Sequence, residues 1–338
     1  MKEYLKHYRA TLTVLGPLHI SSGQTVGKKE YIFDSERHTV FIPKLPLMYQ
    51  WILRNGKQES FEDFMLRDKV DFAAWLQRER IPRKVWKEWT DYKLDSTDAV
   101  SDTRSKVEIQ TYIKDPYGMV YIPGSSLKGA IRTTLLGAAI YRNRDRLERE
   151  RTGIRAAEFK GRKGYLAKEY ARLEERVFHT AGRSEKTQDK VNDCMAGLRI
   201  SDSKPISADC LILCRKQDEM PNGTVKELNI LRECIRPGTK LEFHITIDST
   251  LYKGKRENIL RAVRQFGECY MECFSKKFSS GDSMKGAMLY LGGGSGYVSK
   301  TVTYPLFGEK GVEIISKILN NTLPSKLRTQ HRHGVCVW

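Results

Sequence analysis

The sequence predicts an α+β protein in which helices cover one face of an antiparallel sheet. Three patterns in the last third of the chain indicate this class. Strands are indicated by the apolar run at residues 210–214 and by the alternation at residues 241–247. A long helix is indicated by the apolar face of residues 259–273. Another strand is indicated by the apolar residues 287–291. The order strand, strand, helix, strand is typical of ferredoxin-like and RRM folds, so we expect a modified core of that type.

The first half of the chain predicts further strands and a helical insertion. Alternation over residues 8–14 indicates a half-buried strand, and residues 31–33 and 40–42 indicate two short ones. The insertion, from about 45 to 95, carries aromatic side chains at spacings near three and four. Such residues are usually core, and stacking on nucleobases is the alternative. The aromatic residues are Trp51, Phe61, Phe64, Phe72, Trp75, Trp86 and Trp89.

An internal echo suggests how the chain is organised. Residues 32–34, a turn and residues 40–43 before a helix resemble residues 113–115, a turn and residues 120–123 before a second helix. The match fits either a duplicated fold or a coincidence in a short pattern. The 338 residues allow two domains. We expect an N-terminal RRM-like half over 1–215 with the helical insertion at about 45–95, and a C-terminal RRM-like half over 216–338 with a glycine-rich loop at 292–296.

Charge points to a polyanionic partner. Lys and Arg number 59 and Asp and Glu 41, a formal net charge of +18, which favours RNA or DNA over a membrane surface. No apolar run approaches the roughly 18 residues that a membrane span needs, and the first residues lack the apolar segment of a signal peptide. Seven cysteines without framework spacing fit a reducing compartment, so we expect a cytoplasmic protein without a membrane partner.

The most informative stretch runs from Val120 to Arg132. Its β-forming start, the stop at Pro123 and the turn at Gly124 predict a strand that leads into a helix beginning near Leu127, capped by a serine hydroxyl. A helix N-terminus with free amides, hydroxyls and two cations is a candidate phosphate site. An ordinary strand–helix junction with solvated basic residues is the alternative. The candidate RNA-binding residues here are Gly124, Ser125, Ser126, Lys128 and Arg132.

A second candidate site is the glycine run near the C-terminus. Residues 294–301 miss the Walker A pattern by one position, because Ser299 stands where a glycine must approach phosphate closely. Too few residues follow for a nucleotide-binding sheet, which argues against an NTPase. A glycine-rich loop beside a lysine still suits contact with a sugar-phosphate backbone. The candidate residues are Gly292, Gly293, Gly294, Gly296 and Lys300.

Neither a metal site nor a cofactor is expected. The pairs Cys210/Cys214 and Cys269/Cys273 fit buried thiols better than zinc ligands, and the tail residues 331–336 fit a basic segment near RNA better than a metal site. Histidines are scattered, and His19, close to Ser21, is the best placed to move protons. A structural or phosphate-contacting role for His19 is favoured over a general base, and we include His19 and Ser21 among the candidate RNA-binding residues.

Three motifs resemble the signatures of the RAMP superfamily of CRISPR-associated proteins. They are LHISSG at 18–23, IPGSSLKGAIR at 122–132 and LGGGSGYVSKT at 291–301. Within the superfamily the chain looks most like the fifth Csm subunit of type III-A effector complexes. The resemblance implies a modified RRM core, a glycine-rich loop near the guide RNA, and a thumb hairpin for which residues 96–110 are the candidate. A loop aspartate cuts target RNA in a related subunit; Asp34 and Asp115 are the nearest candidates, and we assign no catalytic residue.

The expected function is therefore that of a non-catalytic subunit. The resemblance implies that the chain binds guide (CRISPR) RNA, caps the 3′-end side of a type III-A interference complex and assists guide maturation in antiviral defence. Implied partners are guide and target RNA, neighbouring Csm backbone subunits and, as a further candidate, host ribonucleases. The main alternative is a metal-independent endoribonuclease that processes guide precursors, with His19 as its proton-transfer residue. A scaffold that merely stays on RNA held by other subunits is the third.

Overall fold

A computed structural model describes residues 4–67, 69–96, 99, 107–159, 161, 164–220, 222–278 and 286–323. The strands are β1 (Leu5–Thr13), β2 (Ser21–Val26), β3 (Ile32–Asp34), β4 (Thr39–Pro43), β5 (Thr90–Asp95), β6 (Ile109–Tyr112), β7 (Leu198–Ile200), β8 (Leu211–Glu219), β9 (Val225–Ile235) and β10 (Lys240–Asp248). The α-helices are α1 (Leu45–Arg54), α2 (Gln58–Leu66), α3 (Phe72–Arg78), α4 (Arg83–Glu88), α5 (Gly124–Arg142), α6 (Glu148–Ala156), α7 (Ala167–Phe178), α8 (Arg256–Cys273), α9 (Thr303–Phe307) and α10 (Gly311–Thr322).

The strands form two sheets, which confirms the α+β class. The smaller sheet has the order β1–β10–β7 and is antiparallel throughout, with Leu5 opposite Asp248 and Thr13 opposite Lys240. The larger sheet has the order β2–β6–β9–β8–β5–β4–β3. It is mixed rather than purely antiparallel, because β5 meets β8 and β6 meets β9 in parallel. Helix α5 packs against α8, and one large apolar core joins helices α5 to α10 to both sheets.

The two predicted halves share their sheets. The boundary after residue 215 falls inside β8, and β1 pairs with β10 from the other side of it. The division into RRM-like halves stays a prediction. Both copies of the internal echo do form an extended pair before a helix: β3 pairs with β4 ahead of α1, and Lys114 bridges Val120 ahead of α5.

The aromatic residues between 45 and 95 are core, as expected. Helices α1 to α4 lie within this range and enclose an apolar core of their own. Phe64 stacks on Phe72 and Trp75 at centroid distances of 5.7 and 5.6 Å, and the Trp75 indole is fully buried. Trp51 lies at the edge of this core and is only partly buried. These side chains therefore stabilise the four helices and are not a stacking platform for bases.

One expected strand is missing from the structure, and one strand of the structure was not expected. Residues 287–291 are not a strand, although Gly293 just beyond them bridges His19. Residues 21–26, for which no strand was expected, form β2 along one edge of the larger sheet, where mostly exposed side chains leave no apolar pattern. Most of the candidate thumb, residues 97–98 and 100–106, lies outside the described residues, as does the basic tail from 324 to 338. Among the helices that the structure describes, none has the length and apolar character needed to cross a membrane.

Candidate nucleic-acid interface

The N-terminus of α5 differs from the expected open anion site. The helix begins at Gly124 rather than near Leu127, follows Pro123 and has no side-chain cap, so the predicted serine cap is wrong. The Gly124 amide donates to Asp202 Oδ1 at 2.7 Å, and the Ser126 amide donates to the Pro123 carbonyl at 2.9 Å. The carboxylate of Asp202 thus occupies the position expected for phosphate. Gly124 is needed for packing, because a Cβ there would lie 2.3 Å from the Ile200 carbonyl oxygen.

Arg132 is engaged inside the protein. Its guanidinium pairs with Glu174 at 2.8 Å and Asp193 at 2.7 Å, and it lies 4.3 Å from the centre of the Phe178 ring. Burial opposes its charge, but the hydrogen bonds to the two carboxylates outweigh burial and raise the pKa of Arg132. Lys128 is half-buried beside it, and burial lowers the pKa of Lys128. Contact of Lys128 and Arg132 with RNA stays a prediction.

The glycine-rich loop is clamped to the segment that carries His19. The Gly293 amide donates to the His19 carbonyl at 2.7 Å. Gly292 has a φ of 69°, and a Cβ there would lie 2.0 Å from the same carbonyl oxygen, so only glycine fits. The Lys300 ammonium donates to the Gly292 carbonyl and closes the loop. This arrangement leaves the amides of Gly294 and Gly296 without an acceptor among the described residues.

His19 has a structural position. Its side chain is 2% exposed, and Nδ1 donates to the Glu233 carbonyl at 2.7 Å. Burial lowers the pKa of His19, and the nearby positive charge of Arg232 acts in the same direction, against the hydrogen bond to Glu233. Nε2 is buried and has no partner within the described part of the chain. An imidazole that is enclosed and held in this way supports the loop rather than reaching a substrate.

Behind His19 lies a buried polar cluster around Glu233. The Glu233 side chain is fully buried, and its carboxylate accepts from the Tyr92 hydroxyl at 2.5 Å, the Tyr112 amide at 2.8 Å and the Lys114 ammonium at 2.7 Å. The Lys114 ammonium also lies 4.2 Å from the centre of the Tyr92 ring. The sequence analysis did not identify this cluster. A glutamate among the mostly apolar residues 230–235 does indicate a buried carboxylate, and such a group needs polar partners.

Arg232 is a further functional candidate that the sequence did not reveal. A Cβ on Gly294 would lie 2.8 Å from Arg232 Nη1, so the guanidinium rests against the glycine-rich loop while its Nε donates to Gln110 at 2.8 Å. Partial burial lowers the pKa of Lys300, and the charge of Arg232 lowers it further. Neither cation is ion-paired with a carboxylate of the described residues. Two unneutralised cations beside free amides make this loop a candidate anion site.

A cavity of about 570 Å³ lies next to these cations. Helix α5, helix α8, the start of β2 and the glycine-rich loop surround it. The structure thereby brings five of the candidate residues to one place, and Gly124, Lys128 and Arg132 do not line it. The five are Ser21, Ser126, Gly292, Gly293 and Lys300.

The remaining chemistry-bearing residues have structural partners. The Asp34 carboxylate is buried against Arg83 at 2.8 Å, and the Asp115 carboxylate accepts the amides of Tyr117 and Met119 in a turn. No group of three or more acidic, histidine or cysteine side chains in the described ranges is placed to hold a metal ion. Cys269 and Cys273 are buried thiols on α8, as expected, whereas Cys210 and Cys214 are only half-buried.

Fold and site together define an α+β protein with a glycine-rich loop that is a candidate anion site. The chain belongs to the RAMP superfamily, whose family model matches residues 11–278. This confirms the family that the three motifs indicated.

Similar proteins agree with this placement. Proteins named CRISPR system Cms protein Csm5 are 29% identical in Mycobacterium tuberculosis, over 89% of this chain and 84% of the relative, and 26% identical in Streptococcus thermophilus, over 89% and 82%. A chain of the cryo-EM Csm–crRNA–target RNA ternary complex of a type III-A CRISPR-Cas system superimposes with a TM-score of 0.65 at 20% identity, covering 94% of this chain and 92% of that one. The crystal structure of T. onnurineus Csm5 gives a TM-score of 0.61 at 20% identity, covering 89% and 94%.

Proposed function

We propose that this protein is a guide RNA-binding backbone subunit of a type III-A CRISPR effector complex, on the 3′-end side of the guide. The observation that carries the proposal is the unneutralised pair Arg232 and Lys300 at the glycine-rich loop. A net charge of +18 supplies the long-range attraction to RNA. The relatives named Csm5, and the fold shared with a chain from a Csm–crRNA–target RNA complex, support the assignment.

The same proposal covers partners and place. The subunit contacts guide RNA, target RNA and neighbouring Csm backbone subunits in the cytoplasm, and it assists guide maturation by protecting the 3′ region while host ribonucleases trim it. Its role is binding rather than cleavage. Support comes from His19, which is buried, and from Asp34, which is paired with Arg83.

The salt dependence of RNA binding tests the cation site. Fluorescence anisotropy with a single-stranded guide precursor is measured over a salt series for the wild type and for Arg232→Gln/Lys300→Gln. Removing one phosphate-binding cation should flatten the slope of log K against log salt by about 0.7, so the slope of the double variant should fall by about 0.7–1.4. The control is Lys84→Gln/Lys87→Gln on α4, which removes the same charge from exposed positions. Equal slopes in the two double variants would refute the site, and no binding by the wild type would refute the function.

Gels from the same tubes separate binding from cleavage. In chelator, a native gel should show shifted RNA and a denaturing gel should show that the RNA is intact. A discrete product that disappears in His19→Ala would instead establish the processing nuclease.

Lys128 is a second proposed contact, on a different face of α5 from the cavity. It is tested as Lys128→Gln alone, because replacing Arg132 would leave the carboxylates of Glu174 and Asp193 unpaired. A slope lower than that of the wild type by about 0.7 is expected. An unchanged slope would restrict RNA contact to the glycine-rich loop.

A further inference from the structure

The phosphate contact proposed for Arg232 and Lys300 does not use the interior of the cavity beside them. We infer that it receives one unstacked nucleobase of the bound strand while Arg232 and Lys300 hold the adjoining phosphate. This inference rests on the proposed function and adds a base-binding pocket to it.

The size and floor of the cavity suit a base. Its volume of about 570 Å³ lies within the range of about 300–1,000 Å³ typical of small-molecule sites, which are mostly apolar with a few polar groups. Buried Ile20, Phe266 and Leu291 contribute to the lining, and half-buried Tyr290 adds a second aromatic ring. Aromatic and apolar walls favour the flat face of a base over a hydrated phosphate or sugar.

The polar groups of the lining match the edge of a base. The hydroxyls of Thr133, Thr134 and Ser299 donate to the main-chain carbonyls of Gly129, Ile131 and Ser295 at 3.1, 2.9 and 2.7 Å. A hydroxyl has one proton, so each of the three can only accept a hydrogen bond from a ligand. Every nucleobase presents N–H donors on its Watson–Crick edge, whereas a phosphate presents none.

The rim connects the cavity to the cation site. Gly293 and Lys300 line the cavity and are exposed. Gly293 belongs to the loop on which Arg232 rests, and Lys300 closes that loop. A base inside the cavity therefore has its own phosphate within the reach of the two cations. Recognition of this kind, with stacked or enclosed bases and a charged groove for the backbone, is general for single-stranded RNA.

Gly129 of α5 provides a clean test. It is exposed at the rim, and a Cβ there would meet no atom within 4 Å, so a larger side chain enters the cavity without a clash at Cβ. Gly129→Leu also replaces glycine inside a helix, which favours the fold. Gly153→Leu on α6 is the matched control, because Gly153 is an exposed helical glycine with the same open space and does not line the cavity.

The experiment scans a single abasic nucleotide along the 3′ region of the guide and measures affinity at each position. For the wild type and Gly153→Leu, one position should lower affinity by roughly 5- to 100-fold. In Gly129→Leu, intact RNA should bind as weakly as that abasic RNA, and the positional effect should vanish, while the salt slope stays that of the wild type.

Three results would overturn the pocket. The first is a wild-type affinity that does not depend on the position of the abasic nucleotide, and the second is an unchanged RNA affinity in Gly129→Leu. The third is a loss of affinity in Gly129→Leu that is equal for intact and abasic RNA, which would mean that the cavity holds something other than a base. All three are distinguishable from failure of the cation site, which would appear as equal salt slopes in the Arg232→Gln/Lys300→Gln variant and its control. They are also distinguishable from failure of the proposed function, which would appear as no RNA binding by the wild type.

Discussion

Replacing Gly292 with alanine should undock the glycine-rich loop. Alanine at a φ of 69° costs about 1–2 kcal/mol. Its Cβ would also lie 2.0 Å from the His19 carbonyl oxygen, so the loop must shift and lose the bond from the Gly293 amide, worth about 0.5–1.5 kcal/mol. The two effects together lower the free energy that keeps the loop closed by about 1.5–3.5 kcal/mol.

Hydrogen exchange measured by mass spectrometry checks this value. Peptides that cover residues 292–301 should exchange about 10- to 300-fold faster than in the wild type, because each 1.4 kcal/mol is about tenfold. Gly238→Ala is the control, since Gly238 has a φ of 87° and a Cβ there would meet no atom within 4 Å. Its effect should be confined to the backbone strain in its own turn. If loop peptides of Gly292→Ala kept wild-type protection, the clamp to His19 would not be holding the loop.

Three other predictions concern stability and packing. Lys114→Met should destabilise the protein by about 3–5 kcal/mol in urea unfolding, because the buried Glu233 carboxylate loses its cation, and adding Glu233→Gln should restore part of that loss. The pKa of His19 is lowered in the folded state, so as the pH falls the unfolded chain binds this proton before the folded one does. The free energy of unfolding should therefore be highest above the ordinary pKa of about 6.5 and should decrease as the pH falls towards the lowered pKa. In urea unfolding, His19→Gln should show a weaker dependence of this free energy on pH over the same range. Gly124→Ala should lower the melting temperature more than Gly129→Ala, because only the former meets backbone, at 2.3 Å from Ile200; equal melting temperatures would contradict the close packing there.

The sequence was sufficient for the fold class because apolar periodicity reports burial directly. The alternation in β1 and β10 and the helical pattern of α8 each correspond to one face against the core. Strand β2 was not predicted because its side chains are mostly exposed. A strand without a buried face has no apolar alternation, so composition alone indicates a loop for it.

The candidate site was predictable only in part, and the reason lies in partners distant in the chain. Motif reasoning found Gly292 and Lys300, which line the cavity, because both belong to one local pattern. It could not show that Asp202 fills the N-terminus of α5, or that Arg132 is held by two carboxylates. Nor could it place Arg232 beside a loop some sixty residues later in the chain. Whether a cation is free for a ligand depends on such contacts.

The pairing of β1 with β10 determines when the smaller sheet can form during synthesis. Leu5 finds its partner only when Asp248 has left the ribosome. At about 5–20 residues per second, the first strand waits roughly 12–50 s with its backbone unpaired. Its apolar face is open to other chains in that interval, so slower elongation up to β10 should reduce the soluble yield.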